Sequence, residues 1–199
     1  MSVLQQARRW LKWKDLNQVD RNILLFTIDT AFQGLMMGGI FNFLTVFAVR
    51  LGASNTQASL LTSLPSLLVA FISIPAGQYV AKKTNYVRFT NQVRLAHRGF
   101  ILLVALLPFI VRDYNAMVIS LIVIWTMKSI SNAMMEPAWM VVVSEMLPPH
   151  RRAKINSVRW TILAVVTAIA VFGYGWILNN VLFPLNYQIV FLISFLGGI

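Results

Sequence analysis

Long apolar stretches recur along this chain, each separated from the next by only a few polar residues. A helix needs about 20 mainly apolar residues to cross the hydrocarbon core of a bilayer. Stretches of that kind fall at about residues 22–49, 56–81, 89–111, 115–146 and 157–182, and another starts near 186. Each is a continuous apolar run, without the short alternating pattern of barrel strands, and a helix satisfies its own backbone in lipid. The expected fold is all-α: a polytopic transmembrane helix bundle with six spans. Composition agrees. The chain is 58% hydrophobic and 12% charged, whereas a soluble domain carries about 25% charged residues. This excludes an ordinary soluble domain, a disordered tail and a compact DNA-binding module. From 186 onward about 14 residues remain, marginal for a full crossing. The expectation is a truncated last helix, with a short tilted helix as the alternative.

The formal net charge of +11 is explained by where the cations sit. Arg8, Arg9, Lys12, Lys14 and Arg21 precede the first stretch, and Lys82, Lys83, Arg88, Arg94 and Arg98 surround the second-to-third connection. Arg151, Arg152, Lys154 and Arg159 surround the fourth-to-fifth connection. Arg50 and Arg112 alone lie on the other side, and Lys128 falls inside the fourth stretch. This alternation is the positive-inside pattern of six crossings with a cytoplasmic N-terminus. It implies a multi-pass protein of a plasma membrane or bacterial inner membrane, and it accounts for the basic excess without nucleic acid. The lipid bilayer is the first expected partner.

Two domains are expected: residues 1–21, a cytoplasmic basic amphipathic segment, and 22–199, the bundle. The early apolar run is far longer than the roughly 7–15 residues of a signal-peptide core. Val3, Ala7, Trp10, Leu11 and Lys14 follow helical spacing with Arg8, Arg9 and Lys12 on other faces, as in a helix lying on the inner leaflet. A frayed basic tail is the alternative.

Ionisable groups inside a bilayer are costly and face the protein interior or a wet cavity. Asp29 lies in the first stretch and Gln33 one turn later, with Met37 and Phe41 continuing the same stripe. In the fourth stretch Trp125, Lys128, Asn132, Glu136 and Trp139 share one helical face. Aromatic walls with a few polar groups are what small-molecule sites are made of. Asp29, Gln33, Trp125, Lys128 and Asn132 are therefore the candidate substrate or ion cavity. A structural ion pair between Asp29 and Lys128 is the alternative. Arg94, His97 and Arg98 must enter the third span, because the apolar run after Gly99 is too short to cross alone. Glu136 lies at a similar depth, so a latch between Glu136 and Arg94 or Arg98 is expected, with snorkelling arginines as the alternative.

Pro65, Pro75 and Pro137 are expected to interrupt or kink their helices. Gly34, Gly38, Gly39, Gly173 and Gly175 permit close helix approach. Cysteine is absent, and His97 and His150 stand far apart with no acidic cluster, so no metal and no cofactor are expected. No serine or cysteine neighbours His97 in sequence, which speaks against a membrane hydrolase; the chain is not expected to be an enzyme.

Two segments carry a family resemblance. Gly77 and Lys82, in a stretch that runs from Pro75 to Lys83, resemble the Gly-x-Leu-Ala-Asp-Arg-x-Gly-Arg-Arg signature of the major facilitator superfamily, with Ala81 at the acidic position and Thr84 at the second glycine. Pro148, Arg151, Arg152 and Ala153 resemble the Pro-x-x-Arg-Arg-Gly turn of the same superfamily after its fourth helix. The resemblance implies a secondary transporter of two six-helix bundles that rock around a midplane site, this chain being the N-terminal half. It implies that the first and fourth helices line the cavity, and that the partners are a small-molecule substrate and a C-terminal six-helix half or a second copy. Gly77, Lys82, Arg94, Arg98 and Glu136 become the gating or charge-latch candidates, with Glu136 replacing part of the latch that Ala81 lacks. Asp29 or Glu136 is a candidate carrier of a coupled proton. A non-transporting scaffold or receptor built on the same bundle is the alternative function.

Overall fold

The computed structural model describes residues 17–198, and these residues are almost entirely helical. The basic amphipathic segment expected at residues 1–21 lies mostly outside the described residues. Six helices follow in order: α1 Gln18–Arg50, α2 Asn55–Ala81, α3 Tyr86–Ile110, α4 Tyr114–Met146, α5 Pro149–Asn180 and α6 Leu185–Gly197. The first five are long and apolar enough to cross a membrane, and α6 is a shorter apolar helix of 13 residues. The expected six spans thus stand as five long helices and one short one.

Helix starts follow from local chemistry. Asn17, Ser54, Asn85 and Asp113 each accept a hydrogen bond from a first-turn amide, which satisfies a donor that the helix leaves unpaired. Ser54 and Gln57 form a reciprocal capping box at α2. Helix α5 starts earlier than its apolar run, because Pro149 occupies a first-turn position where its missing N–H costs nothing. The interruptions expected at Pro65, Pro75 and Pro137 are not breaks: α2 and α4 each run through their prolines as one helix.

One end of the bundle gathers the start of α1 and the α2–α3 and α4–α5 turns. Asp20 and Arg151 meet there at 3.5 Å, and Lys83 lies 3.9 Å from the Tyr79 ring. This is the basic end. At the opposite end Phe47, Phe183, Tyr187 and Phe191 interlock, with Arg50 over Tyr187. Helix α4 packs on α2 and α3, while α1 packs on α5 and α6.

Glycine decides how closely α1 meets α5 and α6. A Cβ at Gly38 would stand 2.7 Å from the Ala170 Cβ, one at Gly34 2.9 Å from Val166, and one at Gly39 would overlap the Ser194 hydroxyl. Only glycine fits at these crossings. Gly173 and Gly175 differ from expectation, since a Cβ at either meets open space within this bundle.

The π-helical turn Met37–Phe41 interrupts α1 at the same glycines. Such a turn loosens backbone hydrogen bonding, which lipid would leave unsatisfied. Neighbouring side chains fill the gap. The Ile40 amide donates to Ser194 Oγ at 3.2 Å, Tyr174 donates its hydroxyl to the Leu35 carbonyl at 3.0 Å, and Asn42 Nδ2 donates to the Met37 carbonyl at 2.8 Å.

Candidate functional site

The inner faces of α1 and α4 meet through aromatic side chains at two levels. Toward the opposite end, Phe41 of α1 meets Trp125 of α4 edge to face, with ring centroids 5.3 Å apart. Toward the basic end, Phe26 of α1 stacks on Trp139 of α4, also at 5.3 Å. Phe26 and Phe41 are separated by about 22 Å of helix at 1.5 Å per residue. Between the two bridges lie Asp29 and Gln33 on α1, and Lys128, Asn132 and Glu136 on α4.

Lys128 belongs to the first bridge. It is 5% exposed, and its Nζ stands 3.6 Å from the Trp125 ring centre and 4.1 Å from that of Phe41. Among the described residues no carboxylate is within ion-pair distance of it. A cation over an aromatic face gains about 2 kcal/mol when desolvated, close to the roughly 2.5–3.5 kcal/mol that insertion of a lysine at mid-bilayer costs. The rings make the buried position tolerable, but they leave its charge uncompensated.

Cations also gather on the second bridge. Arg159 of α5 lies 5.0 Å from the Phe26 ring and 5.6 Å from Trp139, and its Nε donates to Thr30 Oγ1 at 3.3 Å. Arg94 of α3 lies 5.8 Å from the Trp139 ring and bonds the Asp29 carboxylate at 2.5 Å. Asp29 and Glu136 both lie within Coulombic reach of Arg159.

The pairings differ from those anticipated. Asp29 bonds Arg94 rather than Lys128, because the Lys128 ammonium is held by the rings of the other bridge. Arg94 accordingly has Asp29 as its partner, not Glu136, which is exposed on α4. Arg98 lines the same groove as Asp29, Gln33 and Arg94, a cavity of about 210 Å³ between α1, α3 and α6. His97 lines it too; it is buried, and neither ring nitrogen has a hydrogen-bond partner among the described residues. Asn132 is half-buried. Gly77 and Lys82 lie apart from these residues, at the basic end of α2, where Lys82 caps the helix. Lys83, not Lys82, is the cation that stacks there, over Tyr79 and Phe89.

Sequence reasoning did not find Arg159, Phe26 or Thr30. Phe26 and Thr30 share a helical face four residues apart, and Arg159 lies beyond the basic turn between the fourth and fifth apolar stretches. Its position well inside a helix that starts at Pro149 carries Arg159 past the turn and onto the Phe26 ring.

A membrane-spanning helical bundle with charged and aromatic groups turned inward defines a class of multi-pass membrane protein. The model of the Major Facilitator Superfamily matches residues 4–171. The chain belongs to this superfamily of membrane transporters. No curated protein and no solved structure matches it.

Proposed function

We propose that this chain is the N-terminal bundle of a secondary transporter that moves a small solute by alternating access, between this bundle and a second one. The observation that carries the reading is the pair of aromatic bridges, with Asp29, Gln33, Lys128 and Asn132 in the stretch between them. A site flanked by two closures is what alternating access requires, one closure opening while the other holds. Asp29, Gln33, Trp125, Lys128 and Asn132 form this bundle's share of the solute or ion path. Arg94, Arg98 and Glu136, with Gly77 and Lys82 at the turn, act in gating at the basic end. That end is cytoplasmic by the positive-inside pattern, in a plasma or bacterial inner membrane.

The second bundle, a C-terminal half or a second copy, docks on α2 and α5. Ser59, Ser63, Ser66, Ala70, Ser73 and Gly77 make a stripe of small residues along α2, mostly exposed. Ser157, Thr161, Ala164 and Ala168 do the same on α5. The hydroxyls turn back onto their own helices; Ser63 donates to the Ser59 carbonyl at 3.0 Å and Thr161 to the Ser157 carbonyl at 3.0 Å. Small, internally satisfied faces favour close packing of another helix.

The test needs no knowledge of the solute. Asn132→Cys should react with a membrane-impermeant thiol reagent from either side, in right-side-out and inside-out vesicles. Reaction from one side alone sinks alternating access. If Asp29 carries a coupled proton, Asp29→Asn abolishes uphill transport and spares exchange.

A further inference from the structure

The charges between and on the two bridges do not balance. Among the described residues, Arg94, Lys128 and Arg159 face two carboxylates, Asp29 and Glu136, across α1, α3, α4 and α5. Among these, a single ion pair forms within bonding distance, Asp29 with Arg94. Lys128 is held by aromatic rings alone. Uncompensated cations in a low-dielectric interior are stabilised most by an anion that enters beside them.

We infer that the solute this bundle receives is a small organic anion with a flat apolar body, and that Lys128 is the residue that binds its negative group. The inference rests on the transporter reading above and names the class of solute. Trp125 and Phe41 hold the ammonium in place while no anion is present. Trp125 is buried and Phe41 is exposed, so Phe41 is the ring that yields. It sits on the π-helical turn of α1, a kind of turn that recurs at functional sites. When Phe41 moves, the anion replaces its ring face with a charge, and the apolar body of the solute stacks on Trp125. A cationic solute would meet the same surplus of positive charge and be repelled.

The experiment compares isosteric probes on the full-length protein purified in detergent: benzoate and cinnamate, the neutral benzyl alcohol, and the cation benzylammonium. Equilibrium dialysis should give saturable binding of the carboxylates at least about tenfold tighter than the alcohol or the ammonium, the scale of one charge-assisted contact. Lys128→Gln should remove that preference and Lys128→Arg should keep most of it. Equal affinity for all probes, a preference for benzylammonium, or no saturable binding overturns the inference, and these outcomes are read on the wild-type protein even if a variant fails to fold. Flux in proteoliposomes separates the two readings. Carboxylates that bind but never cross would remove the transporter reading and leave the anion site. Transport of benzylammonium in preference to benzoate would do the reverse.

Discussion

Asp29 of α1 bonds Arg94 of α3 directly, at 2.5 Å, although the two helices are separated by α2 in the chain. The pair is half-buried, with side chains 33% and 24% exposed. It ties α1 to α3 near the basic end, beside the bridge of Phe26 and Trp139. A fully buried pair loses about 3–5 kcal/mol when one partner is removed, and an exposed pair about 0–1 kcal/mol. Arg94→Gln should therefore lower stability by an intermediate amount, near 2 kcal/mol, measured as thermal unfolding in detergent. The exchange Asp29→Arg with Arg94→Asp should recover part of the loss. No recovery would mean that the surrounding charges, Arg159 and Arg98, set the orientation of the pair.

The close crossing of α1 over α5 predicts a contrast among glycines. Gly38→Ala places a Cβ against Ala170 and the Thr167 carbonyl, and overpacking of this kind costs about 1–3 kcal/mol. Gly173→Ala meets open space, and alanine exceeds glycine in a helix interior by about 1 kcal/mol. Melting temperature in detergent should fall for the first and hold or rise for the second. A fall for both would show that α5 is covered on its outer face in the protein as purified.

Much of this fold was legible in the sequence because the bilayer imposes it. Apolar runs must be about as long as the membrane is thick. Helix limits came within a few residues for α2 and α4, and missed for α5 because a charged first turn beginning at Pro149 carries no hydrophobic signal. The face of α4 with Trp125, Lys128 and Asn132 was readable from its period. Which charge meets which was not, because pairing depends on how α1, α3 and α5 are rotated about their axes. For α1 against α5 and α6 the close contacts are made at Gly34, Gly38 and Gly39, beside or within the π-helical turn, and nothing in residue spacing announces a turn with one residue too many.

The bridge of Phe26 and Trp139 predicts a change in access. Trp139→Ala removes one ring of the stack and the surface on which Arg94 and Arg159 rest. A cysteine placed by Gln33→Cys should then react several-fold faster with an impermeant reagent applied at the basic end; the chain has no native cysteine to interfere. An unchanged rate would show that this bridge is not a barrier.

Bulk on the outer faces of α2 and α5 should separate folding from assembly. Ser66→Phe and Ala164→Phe both lie on exposed stripes, so the bundle should fold and melt within about 0.5 kcal/mol of wild type. Association with the proposed second bundle, followed by cross-linking in the membrane, should fall sharply. Normal cross-linking would assign these faces to lipid instead.

The wide turn at Met37–Phe41 amounts to a one-residue reserve stored in the middle of α1. One residue of helix corresponds to about 100° of rotation. Passing that surplus along the chain would swing Phe41 around the axis and lift its ring from Lys128, while the glycines before it stay wedged against α5. A rigid rod would have to tilt as a whole to uncover the lysine; this one needs only to shift its slack.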